Sequence, residues 1–97
     1  MKVSLVPQAE RDLIGGAQYY ARAAGAELGH AFIAEFERST SLLAQEPLLG
    51  APWRGAVRRL PMRRFPYSVV YTIVADELRV LAVAHQRRKP GFWIRRR

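Results

Sequence analysis

A chain of 97 residues holds one domain, and at that length folding buries roughly two-thirds of the surface the unfolded chain exposes. Its 49% hydrophobic and 25% charged residues suit a folding globular protein, the lack of cysteine excludes disulfides and thiolate zinc sites, and no segment approaches the ~18 apolar residues of a membrane helix. The net charge of +8 is segregated: residues 1–50 carry four cations against six acids (−2) and residues 51–97 carry twelve against two (+10), so the second half should attract nucleic acid, an acidic protein or an anionic surface.

The start, "MKVSLVPQAERDL", lacks the sustained apolar run of an export signal, which predicts a cytoplasmic protein. "KVSLV" is short, partly β-branched and closed by Pro7, the pattern of a strand followed by a helix with proline in its first turn. Ala9, Leu13, Ala17, Tyr20 and Ala24 recur every three or four residues and mark one helical face, while Glu10, Arg11 and Asp12 begin the wet side. Gly15 and Gly16 each cost ~1 kcal/mol relative to alanine within a helix, so they mark either a close backbone approach or a weak point.

Gly25 predicts a helix stop, and Leu28, Phe32, Phe36 and Leu43 restart the stripe until Pro47 ends it. So short a junction predicts an antiparallel helical hairpin whose aromatic stripe is core. "PLLGAPWRG" reads as a loop, with Trp53 as a lid on the edge of the core. "VRRLPMRRF" alternates loosely, and Pro61 predicts an edge strand or a bulge. "YSVVYTIV" and "LRVLAVAH", separated by "ADE", then form a hairpin. The expected order is β-α-α-β-β-β in a single α+β domain, with a basic tail from about residue 87.

This order, the "PQAERDL" helix start, the "EPLLGAP" loop and above all "RRFPYSVVYTIVADELRVLAVAHQRR" resemble the RelE/ParE superfamily of bacterial type II toxins. The resemblance spans nearly the whole chain and implies a helical hairpin packed on an antiparallel sheet. It also implies a cognate antitoxin, acidic and partly disordered when free, whose flexible segment folds over the toxin. The superfamily divides into RelE-like enzymes that cleave mRNA on the ribosome and ParE-like proteins that poison DNA gyrase.

RelE-like nucleases place an arginine where this chain has Ser68, another where it has Gln86 or Arg87, and a C-terminal tyrosine where the nearest rings are Phe92 and Trp93. Neither ring can exchange a proton at oxygen. The resemblance therefore favours the ParE-like branch and a gyrase inhibitor that acts by binding, with no cofactor. The alternative is a ribosome-dependent endoribonuclease in which His85 serves with Arg64 and Arg87, Arg63 lending a further clamp. A basic nucleic-acid-binding module with no toxic role is a third reading.

Under the binding reading the contact residues are Arg59, Arg63, Arg64, Arg87, Arg88, Phe92 and Trp93. Neighbouring arginines in a strand point to opposite faces, so only one of each pair can address a common partner. Strict alternation puts Arg79, Leu81, Val83 and His85 on one face of the last strand and Leu78, Val80, Ala82 and Ala84 on the other, with His85 a structural terminus. Tyr71 is expected to pack beside Tyr67, Val69 and Ile73, and His30 to lie on the surface. Asp76 and Glu77 belong to the hairpin turn, and no spacing of acids and histidines suggests a metal site. "RRK" at 87–89 and "RRR" at 95–97 read equally as a solvated tail or as target contacts.

Overall fold

A computed structural model of the chain describes residues 1–89 and 91–96. The elements are β1 (Lys2–Leu5), α1 (Pro7–Ala24), α2 (Ala26–Gln45), β2 (Ala51–Arg54), β3 (Val57–Pro61), β4 (Tyr67–Val74) and β5 (Glu77–His85). They build one five-stranded sheet in the order β1-β5-β4-β3-β2, in which β1 runs parallel to β5 and every other pair is antiparallel. The α+β order expected from the sequence is present, with one added strand. Part of the expected loop, Ala51–Arg54, pairs with β3. Its Pro52 is tolerated because β2 lies at the sheet edge.

The same register explains Pro61. Strand β2 reaches Val57–Arg59 only, so β3 is an inner strand there and an edge strand at Leu60 and Pro61, where no ladder donor is needed on that side. The helices form the expected hairpin, with Gly25 (φ 103°, ψ 161°) as the single residue between them. Between hairpin and sheet lies an aromatic cluster: Phe32 meets Phe65 at 5.2 Å and Tyr67 at 4.9 Å, and Tyr20 meets Phe65 at 4.9 Å. Phe32 is fully buried, which stabilises the hairpin on the sheet by ~1.5 to 3 kcal/mol.

Strand β4 keeps its alternation, so Tyr67, Val69, Tyr71 and Ile73 share the face toward the helices, as expected. Strand β5 does not. Val70 pairs with Ala82 but Tyr71 pairs with Val80, leaving Leu81 as an inserted residue. A bulge shifts the period by one. Val83 and His85 therefore join Leu78 and Val80 on the helix face, whereas Arg79 shares the outer face with Ala82 and Ala84. This corrects the faces assigned by strict alternation. Both faces are nonetheless covered from Val80 to Ala84.

The two mid-helix glycines prove different in kind. A β-carbon at Gly16 would lie 2.6 Å from Phe32 Cε2, whereas one at Gly15 would meet nothing within 4 Å. Phe32 cannot yield, because it is enclosed on every side. Urea denaturation should show Gly16→Ala destabilised by about 1 to 3 kcal/mol, the cost of overpacking, and Gly15→Ala stabilised by about 0.5 to 1 kcal/mol through helix propensity.

Candidate functional site

The contact cations expected from the sequence fall into two groups. The first lies where β3 turns into β4 and β5 ends. Tyr67 pairs with His85, Met62 N–H donates to Tyr67 O at 2.8 Å, and Gln86 N–H donates to Pro66 O at 2.8 Å. Arg63, Arg64 and Arg87 thereby come to one end of the sheet, all exposed. Arg64 adopts a left-handed backbone (φ 69°), sets its guanidinium 5.4 Å from the centre of the Phe65 ring, and borders a recess of about 400 Å³ shared with Ala24, Glu27, Leu28 and Ala31.

Glu35 holds this turn in place. Its Oε2 accepts Arg63 N–H at 2.8 Å, while Arg38 grips both carboxylate oxygens at 2.8 Å and the Ser39 hydroxyl donates at 3.3 Å. The Arg38 fork is the main reason that the carboxyl titrates at about 2 instead of 4.5; burial opposes the shift, and Arg63 N–H and Ser39 reinforce it. A lowered folded-state value means that the contribution is full above 4.5 and fades as pH falls toward 2. No sequence pattern marked Glu35, because its main-chain donor is 28 residues away.

The second group is not the tail the sequence suggested. Residues 91–96 form a turn folded back on the domain. Trp93 is 2% exposed and stacks on Trp53 at 4.2 Å, and Arg59 lies 4.5 Å over that same Trp53 ring. Arg88 and Arg96 lie 3.7 and 5.0 Å over Phe92. Trp93 thus offers a partner no surface, and Phe92 is half-buried beneath two cations. Arg97 and Pro90 lie outside the described residues, so of the "RRR" only Arg95 and Arg96 are placed.

Asp12 fastens this turn. Strand β1 pairs with β5 only as far as Val80, and beyond it the β5 edge has no strand neighbour on that side. Asp12 Oδ2 accepts Val83 N–H at 3.2 Å and an Arg96 Nη1 proton at 2.6 Å, and the same Arg96 nitrogen donates to Leu81 O at 3.1 Å. Arg88 approaches Asp12 Oδ1 at 3.8 Å. The expected wet-side acid is therefore the acceptor that closes an open strand edge.

The nuclease candidates are brought to one end of the sheet, yet their surroundings differ from what the RelE pattern implies. Arg87 N–H donates to His85 Nδ1 at 3.1 Å, and the histidine ring meets Tyr67 edge-on at 5.2 Å. Ser68 is buried on the outer face between Pro61 and Ala84. Tyr71 donates to Pro47 O at 2.6 Å and accepts Gly50 N–H at 3.0 Å, and burial pushes its hydroxyl above its ordinary 10.0. Burial likewise raises Tyr20 and Tyr67. His30 is exposed, as expected. Among the described residues no three His, Cys, Asp or Glu side chains converge as a metal site requires, and no helix is long and apolar enough to cross a membrane.

Two measurements check these anchors. Thermal melts of Glu35→Gln and wild type should differ most above pH 4.5 and converge as pH falls toward 2. Asp12→Ala should lose about 1 to 3 kcal/mol by leaving Val83 N–H and Arg96 unpaired, and should shift tryptophan emission to the red as Trp93 becomes wet.

The family model described as the ParE toxin of the type II toxin-antitoxin system, parDE, matches residues 3–90. Among solved structures the chain is similar to "Chromosomal ParDE TA system from P. aeruginosa", at 22% identity and a TM-score of 0.78, covering 88% of this chain and 95% of that one. No curated protein matches. The structural likeness carries the fold, and the family match covers both the helical hairpin and the sheet strands that place Arg63, Arg64 and Arg87 together. The chain belongs to the ParE toxin family of type II toxin-antitoxin systems.

Proposed function

We propose that this ParE-family toxin acts by binding DNA gyrase and is neutralised by a cognate acidic antitoxin that engages the Arg63, Arg64 and Arg87 end of the sheet. The observation that carries the reading is how fully the groups suited to acid–base chemistry are engaged. Tyr71 is buried and bonded on both sides of its hydroxyl, Glu35 is gripped by Arg38, and Asp12 holds Arg96. General catalysis needs a group free to move a proton at the reacting atom. The exposed cations, by contrast, are suited to steering and holding an acidic chain.

Support for the gyrase target comes from membership of the ParE family together with the departures from the RelE pattern at Ser68, Phe92 and Trp93. Support for the antitoxin comes from charge: twelve of the sixteen cations lie in residues 51–97, and the exposed ones at the sheet end complement an acidic segment. A disordered acidic chain that folds onto that end would find its counter-charges already positioned by Glu35.

The convergence of Arg64, His85 and Arg87 favours a second reading, a ribosome-dependent endoribonuclease. Cleavage there would require His85 to move a proton while the arginines stabilise the charge that builds on the phosphate.

A paired assay separates the two. The purified protein should inhibit gyrase supercoiling and leave mRNA on translating ribosomes intact, and His85→Ala should inhibit gyrase as well as wild type does. Ribosomal cleavage that falls by about 100-fold or more in His85→Ala, with gyrase unaffected, would establish the nuclease instead.

A further inference from the structure

The helical hairpin turns one side to the sheet and the other to solvent. Packing fixes the level of each helix against the other: a β-carbon at Gly16 would touch Phe32, and one at Gly29 would lie 2.8 Å from Ala17 O and 3.0 Å from Ala21 Cβ. Counting outward from Gly16 and Phe32 along the antiparallel helices, Arg11 stands level with Glu37, Ile14 with Ala34, Gln18 with His30, and Arg22 within one residue of Glu27. Each set recurs every three or four residues and so shares one helical face. All eight are exposed, Ile14 at 46%. Between the two rows runs an apolar groove of about 180 Å³ lined by Ala17, Ala21, Gly29 and Ile33.

Charge on this side is sorted by helix. Arg11 and Arg22 belong to α1, Glu27 and Glu37 to α2, and among the described residues none of the four forms an ion pair within the chain. The other charged side chains of the hairpin have their own places. Asp12 holds Arg96, Glu35 holds Arg38, and Glu10 lies in the first turn of α1, where the helix dipole favours an acid. A face whose cations and acids stand on separate helices at matching levels is complementary to itself. Turned about a two-fold axis along the groove, a second copy lays its α2 over α1. Arg11 then meets the copy's Glu37, Gln18 meets its His30, the bulky Ile14 meets its small Ala34, and each contact occurs twice. A two-fold axis across the helices would instead bring Arg11 against the copy's Arg22, which repels. An acidic segment would gain at α1 and lose as much at α2.

We propose that this outer face of α1 and α2 seats a second copy of the chain, the two hairpins forming a four-helix layer with α1 of one protomer on α2 of its partner. The recess beside Arg64 includes Ala24 and Glu27, so the basic end lies at the hairpin turn. With the axis along the helices, both basic ends fall at the same end of the dimer, where an acidic partner with two segments engages both. The pairing itself does not depend on which protein the toxin poisons.

Sedimentation equilibrium of the full chain tests it. Wild type at up to about 0.3 mM should show monomer and dimer in exchange. A chain that stays monomeric there overturns the pairing, and the face then serves another partner. Arg11→Glu with Arg22→Glu makes both helices acidic on this face, and Glu27→Arg with Glu37→Arg makes both basic. Each variant alone should dimerise about thirtyfold more weakly, and the two mixed in equal amounts should recover the dimer to within about threefold of wild type. Failure of the mixture to recover, with both variants melting within about 4 °C of wild type, overturns the proposal. Ile14→Ser, a single exposed change, should weaken the dimer about fivefold and provides the test if a charge variant folds poorly; undiminished dimerisation by it overturns the proposal as well. The chain has no cysteine, so Gln18→Cys mixed with His30→Cys should yield a disulfide-linked heterodimer. A link between two copies of Gln18→Cys would show the crossed arrangement and overturn this one.

Discussion

Strand β1 ends at Leu5, paired as far as Val80, while β5 continues to His85. That mismatch leaves a stretch of main-chain donors and acceptors in the middle of the domain with no strand to meet them, and unpaired backbone groups there are costly. The answer is a single carboxylate, Asp12, seated on α1 one turn beyond the helix start. It accepts from Val83 and from Arg96, and Arg96 in turn covers Leu81 O. Because Arg96 must reach the strand edge, the C-terminal turn folds back, and folding it back brings Trp93 onto Trp53. The arrangement of the outer face follows from one short strand.

That chain of dependence redistributes the positive charge. In the sequence Arg59 and Arg88 read as contact residues, and Arg96 equally as solvated tail or target contact. In the fold their guanidiniums lie over Trp53 or Phe92, and Arg88 and Arg96 also face Asp12, so they join the C-terminal turn to the sheet and to α1. Arg63, Arg64 and Arg87 are held differently. Glu35 fixes the Arg63 backbone and His85 that of Arg87, and both side chains are exposed, as is that of Arg64 beside the Phe65 ring. Fixed backbone with free side chain is the arrangement that suits a partner-binding cation, because the ordering cost falls on the fold and not on the complex.

The sheet end and the Pro47–Gly50 loop are fastened in the same way. In one case an acid on α2 fixes a turn that presents arginines. In the other a tyrosine on β4 and an arginine on β3 fix a turn that presents leucines. Both depend on buried or half-buried polar groups whose hydrogen bonds are satisfied inside the protein, which leaves few of them free for proton transfer.

The amino-acid sequence by itself determined the helical hairpin and the β4–β5 hairpin, and its motifs carry the resemblance to the family. Each is written in contiguous periodicity: the stripe of Leu28, Phe32, Phe36 and Leu43, the β-branched runs around "ADE", and glycine or proline at the junctions. It also determined that one half of the chain would be strongly basic. Tertiary structure alone decided which cations remain free, that "APWR" pairs as an edge strand, and that Leu81 interrupts the alternation of β5, placing Arg79 and Val83 on opposite faces. Those outcomes turn on contacts between distant residues, such as Asp12 with Arg96, Glu35 with Arg63 and Tyr71 with Pro47. Local pattern carries no record of such pairings, because the partner of each group is set by where strands end and how their register falls.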